Sequence, residues 1–544
     1  MLLGQMMNTP LTITSVMQFA DKVYPNGEIV SQISATQKHR YTYAEAFCRV
    51  RKLANALLAS GIRPGDRVAT LAWNDYRHFE LYYAVSCIGA VCHTLNPRLF
   101  PEQIEYIINH AEDKLLFVDP GLVSLLDGIR DRIPSVQQTV VLSEDYEAFI
   151  GEHSASFDWP LLDEQSASSL CYTSGTTGDP KGVLYSHRST VLHSYACAMP
   201  DAMNLSAGDV VMPLVPMFHV NAWGLPYACP MVGATLVLPG AFMGDGHVLT
   251  QLINDEGVSL SAGVPTVWLA LLNALKEQGA KVPSLERLIV GGAACPLSIM
   301  DEFREAYQVE VRHAWGMTET SPAGVLNSLK PGMENLPKEA LDRVRLKQGR
   351  PIFGMEFKIV DEHNREQAWD GLAVGEVKVR GPWVCSSYYR QDSGNAHDQD
   401  GWFATGDIAS FDHNGYMQIT DRAKDVIKSG GEWISSIELE NAAMGHPQVK
   451  EAAVIGIPDP KWGERPLLFV VKEGPCVGGK ATAAGKGEVV ELDAQVLLDW
   501  LKDRVVKWWV PERVEFVDEL PHTATGNWIR RCCGGGRFYG ATCL

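Results

Sequence analysis

The sequence predicts an α/β protein with a large N-terminal domain, built on largely parallel sheets covered by helices, and a smaller α+β unit at the end. Three observations carry this. Helix-like and strand-like segments alternate through the first four-fifths of the chain, the pattern of βα units. After about Gly349 the pattern changes to short strands and turns. Beyond the run Asp421-Arg422-Ala423-Lys424-Asp425 a compact α+β pattern begins. The composition, 46% hydrophobic and 21% charged over 544 residues, is that of a globular chain rather than a disordered or coiled-coil one.

The elements follow in order. Residues 42–60 read as a helix through Phe47, Val50, Leu53 and Leu57, stopped by Gly61. A strand at 67–73, a helix at 79–87, a strand at 90–95, a helix at 101–110 and a strand at 114–119 continue the alternation. Residues 210–244 carry no Asp, Glu, Lys or Arg but five prolines, too many for one membrane helix, and predict buried strands and turns. A strand at 287–292 ends in a glycine turn. Pro296 then opens a helix to Tyr307, and residues 309–316 form the next strand. Asp412-His413-Asn414-Gly415 reads as a hairpin turn. In the last fifth, a hairpin around Gly430-Gly431, a helix from Ser436 with a Ser435/Glu438 capping box, a strand at 451–457, a helix at 492–505 and a strand at 513–520 are expected. Residues 474–487 read as a surface loop, and no internal repeat is visible.

Charge and cysteine usage narrow the function. A net charge of −18 argues against a nucleic-acid binder or a basic membrane-surface protein. The 12 cysteines contain no CxxC pair, so they read as reduced thiols of a cytoplasmic protein rather than a metal framework. No basic residue precedes Lys22, which argues against a secretory signal.

The sharpest feature is SLCYTSGTTGDPKGVLYSH, residues 169–187. One strand leads into Thr173, Ser174, Gly175, Thr176, Thr177, Gly178 and Lys181, and a second leads out. Glycines admit a ligand to the backbone, while hydroxyls and a lysine suit a polyphosphate. It is not a Walker A loop, since Pro180-Lys181-Gly182 runs into a strand rather than a helix. In isolation such a string is also readable as a surface hairpin.

With this string the sequence resembles the adenylate-forming superfamily of acyl-CoA synthetases, luciferase-like enzymes and peptide-synthetase adenylation domains. The strings NHAEDK, SHRSTVLHS, PMFHVNAWG, HAWGMTE, DRAKDVIKSGGEWIS and WWVP bring it closer to medium-chain fatty acyl-CoA ligases and methylmercaptopropionate-CoA ligases. The resemblance implies the adenylate-forming fold: an N-terminal AMP-binding domain (1–421) with a small β-barrel-like subdomain, and a mobile C-terminal domain (422–544) hinged near Lys424. It implies ATP, Mg²⁺ and coenzyme A as reactants with a carboxylic acid, and no transmembrane segment; a homodimer stays open.

By the same resemblance Lys181 and Thr173 lie at the phosphates, Thr318 joins them, and Glu319 with Thr173 holds the metal. Gly291, Gly292, Ala293, His313, Ala314, Trp315 and Gly316 line the adenine side. Asp407 takes the ribose hydroxyls, and Arg422, Lys424, Lys428 and Trp433 reach the nucleotide. Lys181, Glu319 and His219 are the expected catalytic residues; His219, Val220 and Trp223 border the acid, and His219 stands where amino-acid-activating relatives carry an Asp for the substrate ammonium. Taken singly these residues have plainer readings: a helix cap for Thr318-Glu319, close packing for the GGAA turn, an ordinary turn for Asp407, and a core histidine for His219.

The family's C-terminal lysine position is taken by Asn527, and residues 528–544 lose the family pattern. The expected activity is ATP-dependent acyl-CoA ligation on a medium-chain acid. Ligation of a short thioether or branched acid such as 3-methylmercaptopropionate and an adenylation-impaired nucleotide-binding protein are the alternatives.

Overall fold

The computed structural model describes residues 2–173, 179–391, 397–422, 425–429, 432–473 and 492–520, with the backbone alone for 428, 432 and 433. Ser174, Gly175, Thr176, Thr177, Gly178, Lys424, the Gly430-Gly431 turn, residues 474–487 and Asn527 lie outside the described residues. The chain divides into two compact units, one of residues 1–357, 379–404 and 412–418, the other of residues 358–378, 405–411 and 419–544.

Two sheets build the first unit. The six-stranded sheet runs Gln138–Val141, Leu115–Val118, Arg67–Leu71, Val91–Thr94, Ala167–Tyr172, Gly182–Ser186. It is parallel up to its last pair, which is antiparallel and brackets the hydroxyl-rich loop. The nine-stranded sheet runs Arg350–Pro351, Ala323–Leu326, Glu310–Gly316, Arg287–Val290, Leu260–Gly263, Val210–Pro213, Thr235–Leu238, Glu28–Gln32, Lys38–Thr42. Its centre is parallel and its two ends turn antiparallel. The helix Tyr43–Ala59 starts at Thr42, whose hydroxyl and the Glu45 carboxylate cap each other's backbone N–H groups. Trp268 and Phe303 are fully buried in the core that the helices Pro265–Gln278 and Leu297–Tyr307 close over the larger sheet.

The uncharged run at 210–244 is not all strand and turn, because Leu225–Val232 is a helix. Its two prolines explain both the misreading and the exception. Pro226 lies in the first turn, where a missing N–H costs nothing. Pro230 cannot donate to the Pro226 carbonyl, and the Tyr83 hydroxyl donates to it instead at 2.9 Å.

In the second unit lies most of a four-stranded sheet, ordered Glu356–Val360, Gly375–Arg380, Phe403–Phe411, Met417–Arg422. The five-stranded sheet pairs Glu432–Ile434 with Ile427–Ser429, then Gly463–Lys472 with Val449–Asp459, and adds Arg513–Phe516 beside Gly463–Lys472. The helices Ser436–Met444 and Ala494–Lys502 pack on it through Leu439, Ala443, Leu497 and Leu501. The described cysteines are free. No helix among the described residues is long and apolar enough to cross a membrane.

Candidate active site

In the first unit the described residues of the expected site gather at the carboxyl ends of parallel strands, where open α/β sheets bind ligands. Ala167–Tyr172 delivers Thr173, whose N–H donates to the Lys181 carbonyl at 2.8 Å. The Lys181 N–H lies 3.4 Å from the Thr173 hydroxyl. Thr173 and Lys181 thus close the neck of the loop. The exposed Lys181 ammonium sits 4.8 Å above the Tyr388 ring.

Thr318 and Glu319 form a short 3₁₀ turn just past the strand Glu310–Gly316, and both are buried. The Tyr185 hydroxyl donates to the Thr318 carbonyl at 2.6 Å, and the Tyr388 hydroxyl to Glu319 Oε1 at 2.6 Å. The Cys385 N–H donates to the Glu319 carbonyl at 2.8 Å. Burial and the Glu319 carboxylate raise the Tyr388 phenol, so it remains a donor.

The strand Arg287–Val290 ends in Gly291, Gly292 and Ala293. A Cβ on Gly291 would come within 2.8 Å of the Trp223 ring and 3.2 Å of the Ala314 carbonyl, so this backbone lies flat against both neighbours. His313 sits between the carbonyls of Ala293 and Leu346 at 3.2 and 3.3 Å, and burial lowers its pKa against their pull. Trp315 is buried edge-on to Phe357. Gly316 has no room for a side chain, since a Cβ would overlap the Pro322 carbonyl.

His219 precedes an uncommon turn. Val220, Asn221, Ala222, Trp223 and Gly224 all have positive φ, between 48 and 75°. Side chains clash with the backbone there, at about 1–2 kcal/mol per residue. Asn221 holds the turn by donating from its amide to the Ser169 hydroxyl at 2.9 Å, while the Cys171 thiol points to Asn221 Oδ1 at 3.5 Å. The strand feeding the hydroxyl-rich loop therefore also pins the turn that carries Trp223. Asn74, fully buried, holds the approach to it through the carbonyls of Pro213 and Val215 and the N–H of Met217. Burial, then the Arg98 charge, pushes His219 down to about 4.

The second unit carries its own group. Asp407, 1% exposed, pairs with Arg422 at 2.8 Å. Lys428 and Trp433 stand opposite each other in the antiparallel pair Ile427–Ser429 and Glu432–Ile434.

Residues 18–389 match the model of the AMP-binding enzymes, and residues 438–527 that of the AMP-binding enzyme C-terminal domain. The chain belongs to the AMP-binding enzyme family. It is 49% identical over 543 residues to a 3-methylmercaptopropionyl-CoA ligase of Ruegeria lacuscaerulensis, covering 97% of this chain and 98% of that one. To a medium-chain-fatty-acid–CoA ligase of Ectopseudomonas oleovorans it is 48% identical over 543 residues, covering 97% and 96%. The fold matches the o-succinylbenzoate CoA synthetase of Bacillus subtilis in complex with its acyl-adenylate intermediate, with a TM-score of 0.79 at 26% identity over 96% of this chain and 98% of that one.

Sequence reasoning missed Tyr388, Cys385, Asn221 and Asn74. Tyr388 lies in CSSYY, a string without period or glycine, and Asn221 lies in an apolar run read for its hydrophobicity. The one available signal was polarity, since an Asn inside an otherwise uncharged, apolar segment needs partners when buried.

Proposed function

We propose that the protein is an AMP-forming acid–thiol ligase. A carboxylate oxygen attacks the α-phosphorus of ATP and pyrophosphate leaves, giving an acyl adenylate. The thiolate sulfur of coenzyme A then attacks the acyl carbon and AMP leaves with that oxygen. The observation that carries this reading is the convergence of Lys181 and Glu319 on Tyr388 beside the neck of the hydroxyl-rich loop, in a chain nearly half identical to two CoA ligases. An inactive nucleotide-binding protein finds no support in those relatives.

Within this reading Lys181 and the loop residues 174–178 neutralise and align the phosphates, which is most of what phosphoryl chemistry asks of a protein. Thr173 and Glu319 offer only hard oxygen donors, and a single carboxylate beside a polyphosphate suits Mg²⁺. Bound there, Mg²⁺ would supply charge neutralisation at the phosphates. Gly291, Gly292, Ala293, His313, Ala314, Trp315 and Gly316 offer backbone and an aromatic ring to adenine. Asp407 and Arg422 serve the ribose, with Lys424, Lys428 and Trp433 in the small domain hinged near Lys424. The cytoplasm is the compartment that supplies these reactants.

For the acid, the buried Phe218, Val220, Trp223 and Leu225 favour an acyl chain, and a neutral His219 offers no countercharge to an ammonium group. Each buried CH₂ contributes about 0.8 kcal/mol, so octanoate outranks a short thioether acid. Side-by-side AMP release on octanoate and 3-methylmercaptopropionate tests this. A higher kcat/KM on octanoate is expected, and a tenfold preference for the thioether acid would reverse the assignment.

A further inference from the structure

We propose that Tyr388 is a positioning residue for adenylation, its hydroxyl orienting the Glu319 carboxylate while its ring face holds the Lys181 ammonium. The inference rests on the roles given above to Lys181 and Glu319, and assigns a determinant of both. One side chain meets two groups of opposite charge: the phenol donates to Glu319 Oε1 at 2.6 Å, and Lys181 Nζ lies 4.8 Å from the ring centroid. The segment bearing it is fastened at both ends. The Cys385 N–H donates to the Glu319 carbonyl, and the Tyr389 N–H to the carbonyl of Gly182, the residue after Lys181, each at 2.8 Å. A Cβ on Gly182 would lie 3.1 Å from Tyr389 Cβ, so the strap seats closely on the outgoing strand.

The two contacts are chemically separable. A hydroxyl donating to a carboxylate is a charge-assisted bond and fixes direction. A cation over an aromatic face gains attraction without a fixed direction. Packing alone would need the ring and not the hydroxyl, because Tyr388 is only half-buried.

The test uses the full chain with Tyr388→Phe, which deletes the hydroxyl, and Tyr388→Leu, which deletes both contacts. ATP binding is followed by calorimetry with and without Mg²⁺, and thermal melting checks folding. Tyr388→Phe is expected to raise the Mg²⁺ concentration for half-maximal ATP binding about tenfold, the scale of one hydrogen bond to a charged group. Metal-free ATP affinity should stay within about twofold, while Tyr388→Leu weakens it several-fold through Lys181. In a Glu319→Gln background Tyr388→Phe should add nothing. An unchanged Mg²⁺ dependence in Tyr388→Phe, or an equal loss in the Glu319→Gln background, overturns the proposal even if Tyr388→Leu fails to fold. Wild-type AMP formation from acid, ATP and coenzyme A is measured separately, and its absence would overturn the parent reading instead.

Discussion

His219 illustrates how one environment sets one residue's chemistry. Burial and the Arg98 guanidinium hold its pKa near 4, against about 6.5 in an unfolded chain. The imidazole is therefore neutral at pH 7. Its contribution to stability is intact above about pH 6.5 and falls as pH drops towards 4, because the unfolded ring takes up its proton first. A ring-labelled NMR titration should place the His219 midpoint below 5; a midpoint near 6.5 would remove the argument for a neutral wall beside the acid. The resemblance reads Asn527 as standing at a lysine position, where it would bring no charge. Introducing one with Asn527→Lys should speed acid-dependent pyrophosphate exchange by about 10²–10³, the usual effect of one preorganised electrostatic group. Equal exchange rates would mean that this position is idle. The candidate string stood out in the sequence because polyphosphate binding calls for hydroxyls, glycines and a lysine together. Tyr388 did not, since its role depends on two partners, one about 70 and the other about 200 residues away in the chain, that only the fold brings together.

Among the elements, the left-handed turn Val220–Gly224 departs most from what its residues prefer locally. Val and Trp avoid positive φ, so neither periodicity nor propensity points to it. Contacts from Ser169, Cys171 and the Gly291 backbone hold it instead. At Gly291 the approach to Trp223 leaves little room for a side chain. Gly291→Ala would push a methyl to 2.8 Å from the Trp223 ring and should raise the KM for the acid, with folding retained. Kinetics on octanoate checks this, and an unchanged KM for the acid would show that Trp223 has room to yield. The helix Leu225–Val232 escaped the sequence reading for a similar reason, as Pro230 is tolerable there only because Tyr83 satisfies the Pro226 carbonyl. Several elements that follow ordinary local rules were legible, among them the helix Tyr43–Ala59, the helix Pro101–Ala111 and the strands flanking the hydroxyl-rich loop, whereas the capped helices Ile13–Val23, Gly246–Glu256 and Pro265–Gln278 were not read.

At the level of the whole molecule, the βα alternation announced parallel sheets, and the relatives' fold agrees. Strand order was not legible, because Glu28–Gln32 reaches its partner Thr235–Leu238 only through packing across some two hundred residues. Nor did the pattern reveal that residues 358–378 and 405–411 group with the last part of the chain. The family and its CoA-ligase relatives carry one central claim, that the acid is activated as its adenylate before the thiol arrives. Octanoate labelled with ¹⁸O in its carboxylate tests that directly. Mass spectrometry of the released AMP should find one label atom per turnover in its phosphate; label confined to pyrophosphate, or AMP free of it, would contradict the account.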